Sequence, residues 1–218
     1  MTTLVVVSCG AVGLAVGLLV ARAAASFPWT AAPPAETSPQ GPALSAPLVA
    51  AGTALLFVLA ALRFGVSAEL PAYLVLAAAG VLLAVVDLRH RLLPNRVIGP
   101  ALVTGALLLT AAAAVDGRWD DLGRAGLGAA VLFAVFLLLA LISPSALGMG
   151  DVKLAGLLGL HLGWLGWDAV LLGAAAGFAV QALLSLVLLA ARRIDLRGEL
   201  PFGPALLAGA VLAISAGG

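Results

Sequence analysis

From residue 4 to residue 216 the chain repeats one pattern: an apolar run, a polar break, then another apolar run. The hydrocarbon core of a bilayer takes about 20 apolar residues to cross as a helix. Runs of roughly that kind occupy 4–25, 47–64, 70–87, 96–115, 125–143, 151–166, 168–191 and 202–216. A span must satisfy its own backbone N–H and C=O groups, and a helix does so within one segment. The expected fold is therefore all-α, a polytopic membrane bundle of about eight transmembrane helices. Composition supports it, with 63% hydrophobic and 10% charged residues. A soluble domain carries about 25% charged residues, so this chain cannot cover a water-facing surface.

Residues 1–218 read as a single membrane domain, and the lipid bilayer is its first expected partner. The net charge of +1 offers no basic patch for nucleic acid. Cys9 is the lone cysteine, so neither a disulfide framework nor a cysteine zinc site follows from it. Gly10, Gly13 and Gly17 give the first span a small-residue face suited to close helix packing. Ala23-Ala24-Ala25 resembles a signal cleavage site, but no positive segment precedes the long apolar run, which reads as a retained span. Residues 26–46 form the one long linker, with Pro28, Pro33, Pro34, Pro39 and Pro42. No internal repeat supports an inverted-repeat transporter.

Orientation follows from basic residues in the loops. With the N-terminus outside, Arg22, Arg89, Arg91, Arg96, Lys153, Arg192, Arg193 and Arg197 fall on the cytoplasmic side, and Arg63, Arg118 and Arg124 outside. The opposite threading reverses that bias.

This threading puts two acidic residues at cytoplasmic span ends. Asp87 ends the third span and is followed by Leu93-Pro94-Asn95; Asp151 opens the sixth, in Gly148-Met149-Gly150-Asp151-Val152-Lys153-Leu154. An ionisable residue beside a membrane segment is a functional candidate. Two carboxyls that meet share a proton, so one can activate water while the other protonates the substrate. Gly148 and Gly150 leave room for a substrate backbone beside Asp151. Bland alternatives stay open: Asp151 capping its helix, and Asp87 pairing with Arg89 or Arg91.

These segments resemble a known family. Gly148-Met149-Gly150-Asp151 with Lys153 and Leu154 is similar to the GxGD-x-K-L segment of type IV prepilin leader peptidases. Asp87 through Leu93-Pro94-Asn95 is similar to their second motif, with Leu93 in place of the usual Ile. Leu200-Pro201-Phe202-Gly203-Pro204 resembles their Pro-Phe-Gly-Pro before the last span. The resemblance runs from about residue 70 to the end. A bare GxGD is shared with presenilin-like peptidases; three motifs in order are more specific. The resemblance implies a membrane aspartic endopeptidase with Asp87 and Asp151 as catalytic residues. It would cleave the basic leader of prepilins or pseudopilins at the cytoplasmic face of the inner membrane. Gly148, Gly150, Lys153, Pro94 and Asn95 would line the substrate.

Many members of that family carry a zinc-binding insertion with Cys-x-x-Cys pairs after the first span, associated with N-methylation. Here the Pro-rich loop 26–46 stands in its place, cytoplasmic and without cysteine. Ala25-Ser26-Phe27-Pro28 is a weak match to a Gly-Ser-Phe stretch of the family. No zinc, no other cofactor and no methyltransferase activity are expected.

The remaining polar residues receive plainer readings. His161 lies on the outer side without a GxSx partner, and His90 sits among arginines in a loop. Lys153 either anchors substrate, tunes Asp151 or snorkels to the interface. Trp119, Trp164 and Trp167 read as an outer aromatic belt, with Asp168 a loop charge beside it. Two rival functions remain: an ion-coupled carrier, which predicts carboxylates nearer the bilayer centre, and an inert pilus assembly factor, which has no use for intact aspartates.

Overall fold

The computed structural model describes residues 2–26, 44–143, 147–191 and 200–216. Most of the Pro-rich linker and Arg192, Arg193 and Arg197 lie outside the described residues. Eight helices are described: α1 Thr2–Ser26, α2 Ala46–Phe64, α3 Leu70–His90, α4 Asn95–Asp116, α5 Trp119–Ile142, α6 Met149–Leu165, α7 Trp167–Ala190 and α8 Gly203–Ala216. The chain is thus an all-α, multi-pass membrane protein. Six helices, α1 to α5 and α7, are long and apolar enough to cross a membrane. At 17 and 14 residues, α6 and α8 are shorter. By helix rise they reach about 26 and 21 Å.

The helices fall into two compact units, Met1–Trp119 and Asp120–Gly218. In the first, α1 and α2 run antiparallel with their backbones close together. A Cβ on Gly10 would meet Val58, one on Gly13 would stand 2.7 Å from Ala54 Cα, and one on Gly17 2.5 Å from Ala50 Cα. The end of α1, the start of α2 and the last turns of α3 share an apolar cluster of Val20, Ala24, Val49 and Val85. Those three termini therefore lie at one end of the unit. At the other end Phe64 stacks on Tyr73 with ring centroids 4.1 Å apart, and Arg118 forms an ion pair with Glu69. The α4 helix closes on Gly117 at φ 71°, a left-handed cap that glycine adopts without strain.

In the second unit α5 and α6 touch backbone to backbone. A Cβ on Gly128 would lie 2.6 Å from Gly159 O, and one on Gly163 2.7 Å from Arg124 O. The Arg124 guanidinium closes this pair: Nε donates to Gly163 O at 2.9 Å, while Nη2 donates to Trp164 O at 2.9 Å and Asp121 Oδ1 at 2.7 Å. A cation at the last carbonyls of α6 meets the negative end of its dipole. Every residue of α6 from Leu154 to Trp164 is buried. Gly209 of α8 lies against the backbone of Gly173 and Gly177 in α7. The rings of Phe136, Phe178 and Phe202 gather with centroids 5.2 to 6.0 Å apart, fixing the residue before α8 against α5 and α7.

One sequence expectation is corrected. Trp119 and Trp167 are exposed as belt residues should be, but Trp164 is fully buried. It lies on a helix that is covered all round, so its place near a helix end does not bring it to lipid.

The glycine contacts set a stability expectation of opposite sign at two sites. Gly159→Ala forces α5 and α6 apart and lowers stability by about 1 to 3 kcal/mol. Gly52→Ala, where a Cβ meets nothing within 4 Å, gains up to about 1 kcal/mol from helix propensity. Thermal unfolding of both variants in one detergent checks the pair.

Candidate active site

Asp87 occupies the last turn of α3, among the buried Leu83, Val85 and Val86, and is itself 5% exposed. The helix stops one turn later. Arg91 takes a left-handed conformation at φ 52°, and its N–H donates to Asp87 O at 2.8 Å. It is the one described non-glycine residue with positive φ, a conformation that bulky residues seldom adopt. Pro94 then caps α4 in extended geometry, its carbonyl accepting from Val97 and Ile98 at 3.0 and 3.2 Å. Proline suits this place because its own missing N–H leaves nothing unsatisfied at a helix start. Asn95, exposed, is the first residue of α4. The turn from Asp87 through Pro94 to Asn95 is thus one local structure within the first unit.

Asp151 is the third residue of α6 and half-buried. Its Oδ2 accepts the N–H of Gly148 at 3.1 Å, and its own N–H donates to Gly148 O at 3.0 Å. The capping reading is therefore present in the structure. It does not exhaust the carboxylate, which has about four acceptor positions. The positive end of the α6 dipole lies beside it.

Gly148 has φ −83° and ψ 158°, a conformation open to any residue. Its use is space: an added Cβ would sit 3.6 Å from Asp151 Oδ2, on the exposed approach to that oxygen. Gly150 and Lys153 flank Asp151 in the first turns of α6, both half-buried. The residues singled out by sequence therefore gather in two places. Asp87, Pro94 and Asn95 lie in the first unit, and Gly148, Gly150, Asp151 and Lys153 in the second.

Two residues receive roles that sequence reasoning did not assign. Arg124, read as an outer loop charge, lies inside α5 and holds the end of α6 opposite Asp151. The signal for it was weak, a single Arg five residues after the start of a long helix. His161 is fully buried in α6, with Nδ1 3.0 Å from Leu157 O. That bond inside its own helix agrees with a structural histidine. Among the described residues no group of three or more His, Cys, Asp and Glu is placed to hold a metal. A zinc site of cysteine pairs does not fit this chain, which has only Cys9.

The sequence model of the type IV leader peptidase family matches residues 74–191, more than half of the chain and both aspartate segments. The Pro-Phe-Gly-Pro segment lies beyond that match. A prepilin leader peptidase/N-methyltransferase of Bacillus subtilis is 35% identical, over 74% of this chain and 62% of the relative. A protein of the same name from Pseudomonas putida is 33% identical, over 72% of this chain and 54% of the relative. One from Myxococcus xanthus is 37% identical, over 65% of this chain and 42% of the relative. The chain thus spans about half the length of the curated relatives it matches. No solved structure matches it. Two aspartate segments in one matched region, each at a helix end, agree with this likeness, and the chain belongs to the type IV leader peptidase family.

Proposed function

We propose that this protein is a membrane aspartic endopeptidase that removes the basic leader of a prepilin or pseudopilin, with Asp87 and Asp151 as its catalytic carboxyls. The observation that carries the reading is the family match over 74–191, which contains both aspartates. The relatives' names describe prepilin leader cleavage. Topology adds support. Two helices of spanning length, α4 and α5, separate Asp87 from Asp151, so the chain returns to the membrane face it left. With the N-terminus outside, that face is the cytoplasmic side of the inner membrane. There a leader can arrive from the cytosol while the pilin's apolar helix stays in lipid.

The chemistry needs the two carboxyls within reach of one water. The ionised one takes a proton from water as its oxygen attacks the scissile carbonyl carbon. The protonated one gives its proton to the carbonyl oxygen, forming a neutral tetrahedral diol. Collapse breaks the C–N bond. The first carboxyl passes its proton to the leaving amine, and the second recovers one from the diol. In this reading Gly148 and Gly150 admit the substrate backbone, and Lys153, Pro94 and Asn95 line its path. Helix-end positions suit this chemistry better than ion conduction, which would need carboxylates deeper in the bilayer.

Asp87→Asn and Asp151→Asn each lower leader processing by at least about a hundredfold, since an amide can neither accept nor supply the proton. The folded amount stays the same, because an Asn oxygen at 151 still accepts the Gly148 N–H. Co-expression with a prepilin, comparing processed and unprocessed bands, measures this; near-normal processing by either variant removes that residue from the site.

The missing cysteine pairs generate a second expectation, on the other activity in the relatives' names. In a host expressing this enzyme alone, the mature pilin carries an unmodified N-terminal amine. Mass spectrometry reads the outcome, and a stoichiometric gain of one methyl group contradicts it.

A further inference from the structure

The two ends of the first unit treat their arginines differently. At one end Arg118 is ion-paired with Glu69, and Arg63 lies 5.5 Å above the Phe64 ring centroid. At the opposite end stand Arg22, Arg89, Arg91 and Arg96, with His90. The apolar cluster of Val20, Ala24, Val49 and Val85 brings the end of α1 and the end of α3 to that side. Asp87 is the one acidic residue described there. Arg22 and Arg91 are exposed and Arg89 is half-buried. None of these three forms an ion pair among the described residues. Arg89 Nε is shielded from water and has no hydrogen-bond partner. A buried donor without a partner calls for an acceptor.

A guanidinium keeps its charge and matches a phosphate with paired N–H donors. Arg22 and Arg89 stand in the closing turns of α1 and α3, helices long and apolar enough to cross a membrane, and Arg91 directly follows α3; long basic side chains at span ends reach the headgroup layer. The basic leader of the proposed substrate has the wrong sign to be their counterion. We propose that this end of the first unit binds the phosphate of an anionic phospholipid headgroup through Arg22, Arg89 and Arg91. Arg91, in its left-handed turn just past the end of α3, is exposed and free to meet such a headgroup. A zwitterionic headgroup answers poorly, because its own cation opposes the cluster. This inference stands apart from the peptidase reading.

Native mass spectrometry of the full chain, equilibrated with equal phosphatidylglycerol and phosphatidylcholine, tests it by the lipid retained. The wild type retains phosphatidylglycerol in preference. Each of Arg22→Gln, Arg89→Gln and Arg91→Gln weakens that retention about fivefold, as expected for one basic residue at an anionic surface. Arg→Lys at the same positions preserves most of it, and Arg63→Gln at the other end leaves it unchanged. The single variants and the lysine set keep the test readable if a triple Gln variant does not fold. Retention of phosphatidylglycerol in all three Gln variants overturns the proposal, as does an equal loss in Arg63→Gln. Displacement of the lipid by millimolar inorganic phosphate also overturns it, since it marks a site for a small free anion.

Discussion

A bilayer gives the backbone no water to bond with, so every spanning segment must close its hydrogen bonds within itself. That constraint produces the eight helices and leaves them a second problem. Lipid is as apolar as leucine, so helices gain nothing by hiding apolar side chains from it. What holds them is close contact and the few polar bonds available. The α1–α2, α5–α6 and α7–α8 pairs all meet through glycine, with backbones near enough that a Cβ would collide. The Arg124 clasp on Gly163 and Trp164 adds polar bonds at one such contact.

The same constraint explains where carboxyls sit. Asp87 lies in the last turn of α3 and Asp151 in the first of α6. At a helix start, free N–H groups and the dipole welcome an anion, and Gly148 supplies such an N–H to Asp151. Capping is therefore compatible with the catalytic role proposed for the same carboxylate. The cap fixes one oxygen and leaves acceptor positions toward the open side that glycine provides. Asp87 has a different setting, buried at a helix end whose closing turn is built on Arg91 and Pro94.

Run length alone made the helices legible, because long apolar stretches have one structural outcome in lipid. Boundaries moved where local chemistry extended a helix: α5 begins at Trp119, six residues before the apolar run, with Asp120 and Asp121 at its dipole's positive end. The motif residues were legible from spacing and family likeness. Burial was not. The Gly, Leu and Ala of α6 resemble those of the lipid-facing helices, and only packing reveals that α6 is covered on every side. That is why Trp164 read as a lipid anchor and Arg124 as a loop charge. No periodicity in α6 marks a polar face, so no sequence rule separates it from its neighbours.

The proposed function requires Asp87 and Asp151 to serve one site. Cysteines placed at 87 and 151, in a chain with Cys9→Ser, measure that directly in native membranes. Rapid joining by a short bifunctional thiol reagent is expected, with slower joining when position 151 is exchanged for 167, the first residue of α7, just past the far end of α6. Absence of the 87–151 cross-link in protein that is correctly inserted, with both thiols reactive, would contradict it.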